Sequence, residues 1–188
     1  MIDEKDCCLV VVDVQGKLAQ LMHDRETLIK NIQILIQAAK ILNIPILWCQ
    51  QAPSALGETV PEIKELLTDN QPINKSSFSC SGCSEFANKL ESLNRSRILL
   101  CGIETHVCIY QTAIDLISKD YEVDVIADAV SSRTLENKQI ALKRLSLEGV
   151  YPEHNRRGII ISSTEMVLFE ILKSADHPSF KSIAKLVK

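Results

Sequence analysis

The chain has 188 residues and a mass of 21.0 kDa, 46% of it hydrophobic and 24% charged, the size and composition of one globular domain spanning 1–188 rather than of a disordered chain. Twenty-one Lys and Arg against 24 Asp and Glu leave a net charge of −3, a poor electrostatic basis for binding nucleic acid. The longest purely apolar run, Cys7 to Val12, is far short of a membrane span, and Met1-Ile2-Asp3-Glu4 has no basic leader region. A cytoplasmic protein is expected, with no membrane or nucleic-acid partner. Seven cysteines, an odd number, argue against a disulfide framework. Most should be small apolar fillers, with one or two reactive thiols among them.

Short β-branched runs alternate with longer amphipathic stretches. Cys8 to Val12 reads as a buried strand ending at Asp13. Arg25 to Leu42 carries Leu28, Ile32, Leu35, Ala39 and Leu42 at helical spacing, with Asp24 as N-cap and Glu26 in the first turn. Ile44 to Cys49 is a second strand, and Pro61 to Leu67 a short helix. Asp69 to Ser79 reads as polar and irregular. Cys83 to Leu93 is a short helix, Arg97 to Gly102 a strand, and Val107 to Lys119 a helix. Glu122 to Ala127 is a strand ending at Asp128, and Thr134 to Leu147 a helix ended by Gly149. Gly158 to Ser162 is a strand, Thr164 to Ser174 a helix, and Phe180 to Val187 a last amphipathic turn. This alternation predicts a mainly parallel sheet covered on both faces. Ligands of such sheets sit beyond the carboxyl ends of the strands, which singles out Asp13, Gln50, Gly102 to Cys108, and Asp128.

The six glycines form neither a dinucleotide fingerprint nor a P-loop. Cys80-Ser-Gly-Cys83 opens a helix, where the dipole depresses a thiol pKa, so a dithiol redox role through this pair is one candidate function. The missing strand before it and the missing Trp and Pro of the thioredoxin version weigh against it, and no second cysteine pair completes a zinc site. Gly102-Ile-Glu-Thr-His-Val-Cys108 puts a thiol at the first turn of a helix, where free N–H groups stabilise a thiolate and can hold an oxyanion. Spacing alone leaves nucleophile and packed filler equally open for Cys108. Asp13 reads as a turn cap or a site residue, and Lys75 by itself as a solvated lysine.

Asp13-Val-Gln15, Asn74-Lys75-x-x-Phe78, Gly102-Ile-x-Thr-x-x-Cys108 with Thr112-Ala113, and Asp128-Ala-x-Ser-Ser-Arg133 occur in order across nearly the whole chain. Together they resemble the isochorismatase-like cysteine hydrolases, and His177-Pro-x-Phe180 resembles the isochorismatase domain-containing subgroup. The resemblance implies a three-layer α/β/α fold whose central, mainly parallel sheet has about six strands in the order 3-2-1-4-5-6. It implies Asp13 as general base, Lys75 as the adjacent positive charge and Cys108 as nucleophile. It also implies a cis peptide at Ile103–Glu104, and an oxyanion hole from the backbone N–H groups of Glu104 and Cys108. Gln15, Phe78 and Tyr110 are candidate pocket residues, with Gln15 able either to orient Asp13 or to satisfy its own turn. Asp128 and Arg133 read as a turn-and-cap element, and His106 as a solvated loop residue. Gln50-Gln51-Ala52-Pro53 stands where related nicotinamidases carry an Asp-x-His metal motif. The expectation is therefore a metal-independent hydrolase of a small amide or related acyl compound, without cofactor, working through a thioester and assembled as a homo-oligomer. A non-catalytic partner-binding domain on the same scaffold is the remaining alternative, disfavoured by the intact Asp13, Lys75 and Cys108. Tyr151 to Arg157 departs from the family pattern and reads as a surface loop.

Overall fold

β1 (Cys7–Val12) is buried at every residue, which a central strand with both faces covered allows. In the computed structural model, which describes residues 2–148, 150–151 and 156–188, its side chains alternate between two cores. Cys7, Leu9 and Val11 enter one, and Cys8, Val10 and Val12 the other. β1 pairs in parallel with β2 (Ile46–Gln51) on one side and β4 (Arg97–Ile103) on the other. β3 (Ile73–Lys75) lies outside β2, and β5 (Glu122–Ser131) and β8 (Ile159–Ser162) lie outside β4, all parallel. Counted within this six-stranded sheet, the order is the expected 3-2-1-4-5-6.

Helices α2 (Arg25–Ile41), α8 (Thr164–Leu172) and α9 (Phe180–Leu186) close one face. Helices α5 (Ser84–Ser92), α6 (Tyr110–Ser118) and α7 (Leu135–Leu147) close the other. Short helices α1 (Gly16–Gln20), α3 (Pro53–Leu56) and α4 (Pro61–Lys64) fill the loops after β1 and β2. No helix among the described residues is long and apolar enough to cross a membrane.

The structure corrects the sequence expectations in several places. The irregular stretch Asp69 to Ser79 contains β3, an edge strand of three residues whose only regularity is its pairing to Cys49, Gln50 and Gln51. Asp24 does hold the N-cap position of α2, but with a left-handed backbone (φ 48°) in place of the extended one a capping side chain uses, and it makes no capping bond. β5 runs past Ala127 to Ser131, through a register shift against β4, so Asp128 lies inside the strand. Its Oδ1 accepts from the backbone N–H (2.8 Å) and hydroxyl (2.9 Å) of Thr164 at the start of α8, the capping role read for it. Gly149 lies outside the described residues. So does 152–155 of the Tyr151–Arg157 departure; at its two ends β6 (Val150–Tyr151) and β7 (Arg156–Arg157) pair antiparallel as a small ladder.

One glycine decides how the sheet presents its carboxyl end. Gly102 has φ 119°, and a Cβ there would lie 2.1 Å from the carbonyl oxygen of Val12. Only a residue without a side chain lets the end of β4 approach β1 this closely. That approach brings the loop after β4 beside Asp13.

Candidate active site

Asp13 follows the last residue of β1. Its N–H still donates to Cys49 O at 3.1 Å, but its backbone is left-handed, φ 54°, so the chain leaves the sheet plane there. Lys75 ends β3, two strands away, paired with Gln51 across the sheet. Its ammonium reaches over the end of β2 and donates to Asp13 Oδ2 at 2.7 Å, with Asp13 only 2% and Lys75 only 4% exposed. The same Nζ contacts Gln51 Oε1 at 2.8 Å, Phe78 O at 3.0 Å and Ser77 O at 3.1 Å. Four acceptors for three protons leave the ammonium none to offer a substrate. It is a fixed charge in a dry place.

Gln51 is the residue that sequence reasoning missed. Its only signal was position, one past Gln50 at the end of β2. Gln15 holds it: Gln15 Oε1 accepts from Gln51 N–H at 2.6 Å, and Gln15 Nε2 donates to Gln51 O and Gly57 O. Gln15 therefore fastens two loops, and no hydrogen bond joins it to Asp13; of its two open roles the structural one holds.

The third residue arrives from β4. The Ile103–Glu104 peptide is cis, and Thr105–Ile109 forms a π-helical turn before α6 begins at Tyr110. The sequence placed an ordinary helix from Val107. The wider turn arises because Ile109 N–H returns to Glu104 O and Tyr110 N–H to Thr105 O, five residues back. Cys108 sits in this turn, 7% exposed. Its thiol interacts with the Asp13 carboxylate, whose other oxygen, Oδ1, has no partner of ordinary hydrogen-bond geometry. The carboxylate thus lies between an ammonium and a thiol, interacting with both.

Burial sets the charges. It raises the Asp13 pKa above the usual carboxylate range; Lys75, by charge and hydrogen bond, then the Cys108 thiol and the Gln51 backbone N–H oppose it without cancelling it. Burial also works against the Lys75 charge, but Asp13 outweighs it and Lys75 is held above the ordinary lysine value. Burial, and then the Asp13 charge, push Cys108 up to about 12, against the pull of Lys75. Burial and the neighbouring carboxylate therefore oppose the thiolate form that Lys75 favours.

The flanking candidates divide. Glu104 turns its buried carboxylate to Arg133, accepting from its N–H at 2.9 Å and its Nε at 3.1 Å. This ties the loop after β4 to the end of β5. Phe78 is 54% exposed, and its carbonyl is what meets Lys75. Tyr110 is half-buried, with its hydroxyl and ring both against Arg144. His106, read as solvated, has Nδ1 3.0 Å from Ser132 Oγ. Among the described residues no three His, Cys, Asp or Glu side chains converge as a metal site.

With that geometry in view, the sequence matches the isochorismatase domain over residues 7–156. The chain belongs to the isochorismatase family. A relative from Phytophthora sojae (strain P6497), the secreted isochorismatase effector Isc1, is 39% identical over 184 residues, covering 96% of this chain and 83% of that one. Isochorismatase domain-containing protein 2 of Danio rerio is 36% identical over 186 residues, covering 99% and 89%. Among solved structures, one described as MAR1 ribonuclease from Caenorhabditis elegans superposes with a TM-score of 0.88 at 34% identity, covering 99% of this chain and 91% of that one. The protein is an isochorismatase-family hydrolase, and its subgroup resemblance to the domain-containing proteins holds.

Proposed function

We propose that the protein is a metal-independent cysteine hydrolase of a small amide or related acyl compound, with Asp13, Lys75 and Cys108 as its catalytic residues. The supporting observation is a buried carboxylate that binds Lys75 through one oxygen and also interacts with the Cys108 thiol. As Cys108 Sγ attacks the carbonyl carbon, its proton passes to Asp13, whose raised proton affinity suits a general base for a high-pKa thiol. Lys75 keeps the site's charge balanced as the thiol ionises. The oxyanion takes hydrogen bonds from the N–H groups of Glu104 and Cys108. Asp13 then protonates the leaving amine or alcohol, and a thioester remains. A water molecule loses its proton to Asp13 and attacks the thioester; the acid departs, and the proton returns to the thiol.

A second reading, taken from the vinyl-ether hydrolases that the resembled family also contains, is hydrolysis of an enol ether. Asp13, with its raised pKa, would protonate the vinyl carbon, water would add and return a proton to Asp13, the hemiketal would expel the alcohol and leave a carbonyl, and no thioester would form. Exposure to a panel of small amides, esters and enol ethers separates the two. Acyl hydrolysis gives a covalent adduct on Cys108 by mass spectrometry and loses turnover in Cys108→Ala. Turnover of an enol ether that survives Cys108→Ala would replace the first reading with the second. Turnover should persist in EDTA, and stoichiometric metal that tracks activity would refute the metal-free mechanism. A chain of net charge −3 is poorly suited to gather a polyanion, so RNA is placed outside the proposed substrates. Cleavage of labelled RNA that Cys108→Ala abolishes would reverse that. Self-association into a homo-oligomer belongs to the same proposal and is read by sedimentation velocity.

A further inference from the structure

Cys80 is the first cysteine of the Cys80-Ser-Gly-Cys83 motif, but Cys83 is not its neighbour in function. Cys83 is partly exposed and its thiol points to Asn74 O at 3.8 Å. Cys80 is 0% exposed and lies in the same core as Cys49 and Cys108. Its N–H donates to Thr112 Oγ1 at 2.9 Å. Thr112 lies one turn beyond Cys108 along the helix, so this bond seats Cys80 against the face that carries Cys108. The Cys80 thiol also interacts with that of Cys49, a member of the same core. Cys49 itself is 1% exposed, its strand paired to Val12 and Ile73, and its carbonyl receives the Asp13 N–H. Cys80 thus lies near both thiols, and its electrostatic effect on Cys108, with that of both cysteines on Lys75, agrees with that placement. All three are free. The hydrolase mechanism uses only Cys108.

We propose that Cys80 is the resolving thiol for an oxidised Cys108, and that Cys49 completes a relay which stores the oxidation as a buried Cys49–Cys80 disulfide. Cys108 is the most exposed of the three and the one with a base beside it, so a small hydroperoxide reaches it first. The peroxide oxygen passes to Cys108 sulfur, giving a sulfenic acid and an alcohol or water. Cys80 sulfur attacks that sulfur, its proton leaves with the hydroxyl as water, and a Cys80–Cys108 disulfide forms. Cys49 then attacks Cys80, giving the Cys49–Cys80 disulfide, and its proton passes to the departing Cys108 thiolate. In sum, one hydroperoxide and two thiols become one disulfide, one alcohol and one water. The nucleophile is returned reduced. This inference rests on the placement of the three thiols and stands whether or not the proposed hydrolysis does.

The test uses the intact protein, hydrogen peroxide and peptide mapping, with Cys108 alkylation as the readout so that turnover is not needed. Brief peroxide should give a Cys49–Cys80 linkage within one chain, leave Cys108 open to iodoacetamide, and be reversed by dithiothreitol. In Cys49→Ser the reaction should stop at Cys80–Cys108. In Cys80→Ser no linkage should form, and Cys108 should accumulate as sulfinic acid roughly tenfold faster than in the unaltered protein. Four results would each overturn the proposal. They are equal sulfinic acid accumulation with and without Cys80, a linkage confined to Cys80–Cys83, a linkage only between chains, and three unmodified thiols under peroxide that oxidises free glutathione. The map of the unaltered protein decides the matter even if a variant fails to fold.

Discussion

The two ends of the sheet each bury an ion cluster, and they differ in what is left over. At the amino end, Arg97 opens β4 and binds Asp124 through Nε at 2.5 Å and Nη2 at 3.0 Å, with Nη1 on Glu122 at 2.8 Å. Both Asp124 oxygens and all three guanidinium nitrogens are engaged. At the carboxyl end, Lys75 binds Asp13 through one oxygen, the other has no partner of ordinary geometry, and the carboxylate interacts with the Cys108 thiol. Burial raises the carboxylate pKa at both ends, so burial and a shifted pKa do not by themselves mark chemistry. What sets the carboxyl end apart is a carboxylate oxygen without a partner of ordinary geometry and a thiol interacting with the same carboxylate. A closed cluster can only hold strands together, whereas an open one has a proton acceptor to use.

The largest expected effects break the open end. Cys108→Ala should cost about 10⁴-fold or more in kcat/KM, and Asp13→Asn about 10³-fold, with circular dichroism showing the fold retained. Turnover within about tenfold of the unaltered protein in either variant would refute the assignment. Next comes the closed end. Arg97→Met strands a fully buried Asp124 and should cost about 3–5 kcal/mol in urea unfolding, with kcat per folded molecule unchanged. A kcat that falls with it would mean the two ends are coupled and the contrast is false.

Lys75→Met tests whether the upper cation does more than its counterpart. It should destabilise too, and also slow Cys108 alkylation near pH 7 by roughly tenfold, because Lys75 lowers the thiol pKa. In the unaltered protein the alkylation rate should still be rising at pH 10, since the thiol ionises near 12; a plateau near pH 8.5–9 would contradict the burial account. The acid side follows from Asp13. Its pKa is raised, and the proposed mechanism uses its ionised form as base, so activity should be present above that pKa. Activity is lost as pH falls through it, at a pH above the ~3.9 of an exposed aspartate. The smallest effect belongs to Cys83→Ser, which touches neither cluster. Turnover should be unchanged and stability within about 0.5 kcal/mol.

Much of the scaffold was legible because strand and helix periods are local. β1 and β4 announce themselves as apolar runs, and α2 by its spaced Leu28, Ile32, Leu35 and Ala39. β3 did not, since three residues carry no periodicity and its regularity comes only from β2. Asp13, Lys75 and Cys108 were picked out by ordered motifs that resemble a family, while Gln51 was passed over because its function is a contact, Lys75 Nζ to its Oε1. The Cys80–Cys83 spacing suggested a pair, yet the fold turns Cys80 toward Cys49 and Thr112.

By itself, the sequence determined the alternation of strands and helices, the net charge of −3, and the residue types offered at each strand's end. These follow from side-chain chemistry and local spacing. Which of those residues meet, and in what protonation state, was decided by the tertiary structure. A parallel sheet brings residues far apart in the chain to one rim, and Gly102 lets β4 close on β1 so that Cys108 comes beside Asp13. Burial then settles the charges, raising Asp13 and holding Cys108 as a thiol near 12. Desolvation depends on everything packed around a group, and no window of sequence contains that.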